Sequence, residues 1–311
     1  MKRAIVNIAF NRPQYLEQVL EGIEKQHWEP RKYDFLAFVD GPRDKNKGDM
    51  AGISENATVL QDFICRTAGT FNAATIIQRG ENVGCNVNIL DALYKVFVEN
   101  NYDEAIIIEE DVVPLKGFSE WMEWGLENLV GKPATKTKIN TMTKLDAFTV
   151  DFGTILNVVG FSEPKKKDEN PAAYQMARWF TPWGWATNGV MWRKHFANKV
   201  ELMYLNGCMS DASYSKVHQQ TFDLHPAKHK SKFITWRDGQ VSGYQWGWDG
   251  FIAVVGEVLD LYEAHPTVPR TKNVGKVGVH QDGNQVYPEL MERKCTSDEF
   301  DLVKDLFVEV D

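Results

Sequence analysis

The stretch EAIIIEEDVVPL, Glu104 to Leu115, joins a strongly apolar run directly to three acids. The run from Ile106 to Ile108 predicts a strand that is buried on both faces, as in a parallel sheet. Glu109, Glu110 and Asp111 follow without a break, although carboxylates rarely approach a core unless a partner pairs with them. We therefore expect the acids to emerge where the strand ends, opposite a group that balances their charge.

The segments around this strand alternate between strand and helix patterns. Buried strands are predicted at 4–10, 33–41, 74–80 and 104–111, and helices at 13–23 and 85–101, with one or two strands at 147–161 and helices from 192 and at 249–258. Such alternation implies right-handed crossovers and a mostly parallel, Rossmann-like sheet with flanking helices. No internal repeat or clear linker interrupts the chain, so the prediction is a single α/β domain.

Composition excludes several classes of protein. The 311 residues carry a net charge of −8, which does not favour a general nucleic-acid binder. No apolar run approaches the roughly twenty residues of a membrane span, and the short apolar run at the N-terminus does not resemble a signal peptide. The four cysteines, Cys65, Cys85, Cys208 and Cys295, lack zinc spacing, and free thiols are favoured over disulfides. We expect a soluble cytoplasmic protein.

Polar residues follow three of the predicted strands. Asn11 and Arg12 follow the first, Asp40 follows the second, and the three acids follow the fourth. In open α/β sheets, ligands bind beyond the carboxyl ends of the strands. These residues therefore predict one crevice that holds a divalent metal ion and an anionic ligand. The alternative, that they only cap helices and solvated turns, remains open.

The order of several motifs resembles the GT-A glycosyltransferases. The motifs are IAFNRPQYL, FVDG, NVG, IIIEEDVVP, WGWAT, WGWDGF and NVGKVGVHQD, spread over residues 4 to 282. They are most similar to the branch that includes the N-acetylglucosaminyltransferase initiating complex N-glycans, together with its bacterial and phage homologues. The resemblance implies a GT-A fold, with a nucleotide-binding half at 1–115 and an acceptor-binding and catalytic half at 116–311.

The resemblance also implies roles for individual residues on the donor side. Arg12 and Asp40 match residues that hold the base and ribose, Asp40 accepting a hydrogen bond from uracil. Asp111 matches the ligand of Mn²⁺ or Mg²⁺, and Glu110 stands where the branch usually has Asp. The implied nucleotide site consists of Asn11, Arg12, Asp40, Asn82, Glu109 and Glu110.

The later motifs supply the base and a second metal ligand. Asp249 matches a catalytic base, and His280 falls where many GT-A enzymes place a metal ligand. Trp183, Trp185, Trp246 and Trp248 suggest a platform for a sugar, with core filling as the alternative. Arg270 and Lys272 precede a Gly-bracketed loop that suits closure over a diphosphate, although an ordinary surface loop fits equally.

The implied activity is metal-dependent, inverting transfer of a sugar from a nucleotide sugar, in the first instance UDP-linked, to an acceptor hydroxyl. A single base without a carboxylate nucleophile gives direct displacement. The acceptor is a glycan or a hydroxymethylated base of phage DNA. The basic stretch from His225 to Arg237 suits an anionic acceptor or the donor phosphates, with a solvated basic loop as the alternative. The alternative is a non-catalytic protein that binds a nucleotide or a glycan on the same fold.

Overall fold

The computed structural model describes residues 1–43, 46–139, 147–161, 172–205, 216–217, 220, 247–275 and 308–309. Its strands are β1 Arg3–Ala9, β2 Asp34–Val39, β3 Ala74–Gln78, β4 Glu104–Glu109, β5 Val112–Pro114, β6 Pro133–Ile139, β7 Ala147–Val159, β8 Ala173–Ala177, β9 Trp185–Asn188, β10 Leu261–Pro266, β11 Thr271–Asn273 and β12 Val308–Glu309. Its α-helices are α1 Pro13–Glu24, α2 Lys47–Arg66, α3 Cys85–Tyr94, α4 Phe118–Asn128, α5 Gly189–Trp192, α6 Asn198–Leu205 and α7 Trp248–Val258.

One large sheet organises the chain. Its strands follow the order β12-β8-β10-β7-β9-β4-β1-β2-β3, and β6 pairs with β7. β3, β2, β1 and β4 run parallel, β9 is antiparallel to β4, and β7 and β10 resume the direction of β4. The predicted α/β architecture, a mostly parallel central sheet with flanking helices, is confirmed.

The middle of the sheet is apolar because its strands are covered on both faces. Every residue of β2 is buried, and in β4 only Glu109 is partly exposed. β1 contains a buried polar residue, Asn7. Its side chain donates a 3.2 Å hydrogen bond to the carbonyl oxygen of Ile108. This bond ties the end of β1 to the end of β4.

The helices differ from the sequence prediction in two places. α2 was not predicted, because Asp49 and Asn56 occupy buried positions on its inner face and dilute the apolar pattern. The predicted helix from 85 to 101 ends its α-helical part at Tyr94 and continues as a π-helical turn, Lys95–Glu99. Within the described ranges, no helix is long and apolar enough to cross a membrane. Cys65 and Cys85 are free thiols; the other two cysteines lie outside those ranges.

A buried carboxyl in β10 predicts a dependence of stability on pH. Glu263 is 3% exposed and accepts a 3.2 Å hydrogen bond from the Asn157 side chain. Burial raises the pKa of Glu263 well above its usual value, and the bond from Asn157 only partly opposes this. The folded protein therefore holds this proton at pH values where the unfolded chain has lost it.

The pH dependence follows from linkage. Because the folded-state pKa is raised, the contribution of Glu263 is complete below its unfolded pKa and is lost as pH rises toward its folded pKa. Glu263→Gln mimics the protonated form, so its melting temperature should fall less between pH 4.5 and 8 than that of the unmutated protein. The exposed Glu17→Gln is the control and should keep the original slope. Identical slopes for all three proteins would contradict this assignment.

Candidate active site

The ends of three parallel strands define the candidate active site. Ile8 in β1 is in register with Glu109 in β4, and Ala9 is in register with Val39 in β2. The loops that follow these residues therefore leave the sheet side by side. They carry Asn11 and Arg12, Asp40, and the acidic run.

Glu110 turns inward and is almost completely buried. Its two carboxylate oxygens accept hydrogen bonds from the Phe10 backbone nitrogen, at 2.7 Å, and from Arg12 Nε, at 2.6 Å. The side chain is 4% exposed. Both oxygens are therefore engaged inside the protein, and the predicted contact of Glu110 with the nucleotide stays a prediction. The Glu110 side chain thus reaches the loop after β1.

Arg12 joins the two acids that follow Glu109. Its Nη1 lies 3.0 Å from Asp111 Oδ2, and its Nε holds Glu110. Burial alone would lower the pKa of Arg12, but the charges of Asp111 and Glu110 outweigh it and raise the pKa. The guanidinium is permanently charged and fixes the direction of the Asp111 carboxylate. Its predicted contact with the base and ribose stays a prediction.

Loss of the Glu110 carboxylate should destabilise the fold. Removing one partner of a buried ion pair typically costs about 3–5 kcal/mol. We expect Glu110→Ala to lower the free energy of unfolding by about 3 kcal/mol, near the low end, because Arg12 keeps Asp111. Urea denaturation measures this.

Glu21→Ala is the matched control, since Glu21 and Lys25 form an exposed pair at 3.6 Å. That variant should change the free energy of unfolding by less than about 0.5 kcal/mol. Equal effects of the two substitutions would contradict an internal role for Glu110.

Acids from two distant parts of the chain, Glu109 and Asp111 after β4 and Asp249 in α7, lie within electrostatic range of one another. Desolvation raises the pKa of Glu109 well above its usual value, and the negative charges of Asp111 and Asp249 raise it further. Cys85 is an exposed residue at the start of α3, and its sulfur lies within electrostatic range of the same three carboxylates. Desolvation of the sulfur by the protein around it raises the pKa of Cys85, and the negative charges of Glu109, Asp249 and Asp111 raise it further. Clustered like charges of this kind favour a cation.

Asp40 holds the turn that leads into α3. Its carboxylate accepts four hydrogen bonds of 2.8–3.0 Å, from the backbone nitrogens of Gly41, Val83 and Gly84 and from the Asn82 side chain. Burial raises the pKa of Asp40, whereas these backbone donors act in the opposite direction. A carboxylate has about four acceptor positions. A uracil N–H would have to displace one of the present donors.

The side chain of Asn11 is also engaged by the fold. Its Nδ2 donates to Asp49 Oδ1 at 2.6 Å, and Arg43 binds both oxygens of Asp49 at 2.7 Å. The Arg43 guanidinium lies 5.4 Å from the centre of the Phe10 ring and is half-exposed. Arg43 and Asp49 carry no sequence signal of their own, because their roles depend on α2. Together they shape the rim between the ends of β1 and β2.

A second segment, residues 271–275, approaches Asp111. β11 pairs antiparallel with β5, and the Val274 nitrogen donates to the Asp111 carbonyl oxygen at 2.8 Å. A Cβ on Gly275 would lie 2.5 Å from Asp111 Oδ2, so a side chain at this position would have to displace the Asp111 carboxylate. His280, the predicted second metal ligand, lies outside the described residues, five positions after Gly275.

Arg270 and Lys272, the predicted contacts with a diphosphate, differ in their exposure. Arg270 is 0% exposed and its Nη1 lies 3.4 Å from the Lys116 carbonyl oxygen, so it is a core residue. Burial lowers the pKa of Arg270 to about 10. Lys272 is exposed, but it lines a cavity of about 430 Å³ between α1 and the loop after β5.

Two of the four tryptophans of the predicted sugar platform are buried, and the platform itself stays a prediction. Trp185 is 1% exposed and Trp248 is 5% exposed. Their rings stack with centroids 6.1 Å apart, and Phe180 packs edge-on against both. They are core residues that seat the start of α7 against β9. Trp246 lies outside the described residues, as does the basic stretch from His225 to Arg237.

The described donors are consistent with a metal site that is completed by further ligands. Among the described residues, no group of three or more His, Cys, Asp or Glu is arranged to hold an ion. Asp111 offers hard carboxylate oxygen in a cluster of negative charge, which suits Mn²⁺ or Mg²⁺. The remaining ligands would come from water, from substrate or from the segment after Gly275.

Comparisons with known proteins give similarity in structure only. No protein-family model and no curated protein sequence matches the chain. A mannosyltransferase, PcManGT from Pyrobaculum calidifontis in complex with GDP-Man and Mn²⁺, aligns at 12% identity over 82% of this chain and 69% of that one, with a TM-score of 0.42.

Two other solved glycosyltransferases align over less of their own length. TarS of S. aureus, in a form spanning residues 1–349, aligns at 12% identity over 62% of this chain and 49% of that one, with a TM-score of 0.35. The galactosyltransferase LgtC, in complex with donor and acceptor sugar analogues, aligns at 13% identity over 63% and 61%, with a TM-score of 0.32. The chain spans less than two thirds of each of these two.

Proposed function

We propose that the protein is a metal-dependent glycosyltransferase that moves a sugar from a nucleotide sugar to an acceptor hydroxyl. The observation that carries the proposal is the meeting of Asp111 and Glu109, after β4, with Asp249, at the start of α7, at the edge where the β1 and β2 loops emerge. The order of the motifs and the resemblance to GT-A enzymes support the same function. In this reaction one carboxylate binds the metal ion, and another accepts the proton of the acceptor hydroxyl.

Each residue of the site has a separate role in the proposed reaction. Arg12 holds Glu110 and directs Asp111, which would bind a divalent ion together with His280. Such an ion neutralises the charge that develops on the leaving nucleoside diphosphate. Asp249 takes the proton from the acceptor hydroxyl as that oxygen attacks the anomeric carbon. We propose that this single displacement inverts the configuration of the sugar and that the donor is linked to UDP.

A screen of donors tests the proposal. Purified protein is incubated with UDP-, GDP- and other nucleotide sugars in Mn²⁺, with oligosaccharides or DNA bearing hydroxymethylated bases as acceptors. We expect nucleoside diphosphate release from one class of donor, abolished by EDTA, and a product whose anomeric configuration is inverted by NMR. Binding of a nucleotide sugar without release, whatever the acceptor, would favour the non-catalytic alternative.

A further inference from the structure

We propose that Asn86 is a positioning residue for Asp249, and that through it the donor half of the site sets the place of the base. The proposal rests on the proposed function. Asn86 is the second residue of α3, and its Oδ1 accepts a 2.9 Å hydrogen bond from the backbone nitrogen of Trp248, the first residue of α7. The two residues are 162 positions apart in the chain.

The start of α7 depends on this contact because the helix lacks a side-chain cap of its own. The residue before the helix is Gly247, with extended backbone and no side-chain cap hydrogen bond. The first N–H groups of a helix have no partner within the helix. Asn86 supplies an acceptor from another helix, so the first turn of α7 is fixed relative to α3.

α3 is itself fixed to the donor side. Gly84, which precedes it, has a φ of 82° and donates its N–H to Asp40 at 3.0 Å. Arg79, after β3, donates from Nε to Asn88 Oδ1 at 2.7 Å and also pairs with Asp91. Both the turn before α3 and its first two turns are therefore bound to the ends of β2 and β3.

The consequence concerns Asp249, which directly follows Trp248. The Trp248 ring packs against Trp185 and Phe180, which holds one side of the first turn. The bond to Asn86 holds the backbone of the same residue. A misplacement of about 1 Å in a reacting group can reduce a rate by about 10²-fold. Asn86 should therefore act on the chemical step and leave donor binding unaffected.

Steady-state kinetics of Asn86 variants test this role. In Asn86→Ala we expect kcat to fall by about ten-fold or more, with the donor KM within about two-fold of the original. Asn86→Asp places an acceptor oxygen in the same position and should restore most of the lost kcat. Asn86→Ser, whose hydroxyl is too short to reach Trp248, should behave like the alanine variant.

Asn188→Ala is the matched control. The Asn188 side chain accepts a 2.9 Å hydrogen bond from the Met191 nitrogen at the start of α5, so its loss removes a comparable bond elsewhere. It should lower the melting temperature by a similar amount without changing kcat. Hydrogen exchange gives a readout independent of activity: the Trp248 amide should exchange faster in Asn86→Ala than in the unmutated protein and Asn86→Asp.

The outcomes separate this inference from the proposed function. Failure of the unmutated protein to transfer any sugar would refute the proposed function. If the unmutated protein is active, an unchanged kcat in Asn86→Ala or Asn86→Ser would refute the role of Asn86, as would unchanged exchange at Trp248. A fall in kcat that Asn86→Asp does not restore would also refute it. If the alanine variant does not fold, the serine and aspartate variants decide.

Discussion

Asp111→Asn should abolish the Mn²⁺-dependent part of nucleotide binding while leaving the fold nearly intact. The substitution replaces a charged oxygen ligand by a neutral amide, and hard divalent cations bind carboxylates far better than amides. The fold should tolerate it because the amide oxygen still accepts from Arg12, now 3.0 Å from Asp111 Oδ2, and because Glu110 holds the same guanidinium. Titration calorimetry of UDP with Mn²⁺ and with EDTA measures the difference.

Asp103→Asn provides the matched control for that experiment. Asp103 lies just before β4, at the opposite end of the strand, where its Oδ2 accepts from the Lys2 backbone nitrogen at 2.6 Å. It should retain full Mn²⁺-dependent binding. If Asp111→Asn also retained it, Asp111 would be an internal partner of Arg12 only, and the metal would have to be held elsewhere.

The sheet was predictable from sequence because its strands are nearly continuous runs of β-branched and aromatic residues. β1, β2 and β4 begin and end within a few residues of the predicted positions. Their polar ends were predictable for the same reason, since a buried strand must stop where charge begins. The side-by-side arrangement of the loops then follows from parallel register alone.

The direction of each polar side chain was not predictable. Glu110 and Asp111 are neighbours in sequence, yet the Glu110 side chain is 4% exposed against Phe10 and Arg12, whereas the Asp111 side chain is 14% exposed. The residues that bind Glu110, Phe10 and Arg12, lie about a hundred positions earlier in the chain. Likewise, α2 was missed because Asn56 is buried to donate to the Phe10 carbonyl oxygen, a contact that no local pattern reveals.

The roles of the aromatic residues near the site were not predictable for a different physical reason. A tryptophan beside a catalytic motif suits a sugar platform and a core equally well. Trp185 lies in a strand whose two edges are paired with β4 and β7, and its ring is covered by Phe180 and Trp248. Composition carries no information on that coverage. The same pairing seats Trp248 and so helps to place Asp249.

Asp249→Asn should reduce kcat by about 10²–10⁴-fold, the usual contribution of one general base. The half-buried carboxylate lies in the first turn of α7, close enough to Glu109 and Cys85 for its charge to affect both. An amide of the same size keeps the packing but cannot accept the proton of an acceptor hydroxyl. Because that proton moves only in the transition state, kcat should fall while donor binding and KM change little.

The competing explanation is that Asp249 only stabilises its helix. Gly247 is the N-cap residue, so Asp249 would act through the helix dipole, which is worth about 0.3–1 kcal/mol. Glu201, an exposed acid in the first turn of α6, is the matched control, and Glu201→Gln should show that small loss of stability with unchanged turnover. Near-normal turnover in Asp249→Asn with an equally small loss of stability would leave the proposed reaction without its base. A large fall in kcat at nearly unchanged melting temperature would place proton abstraction at Asp249, because the dipole interaction alone has no means of slowing the chemical step.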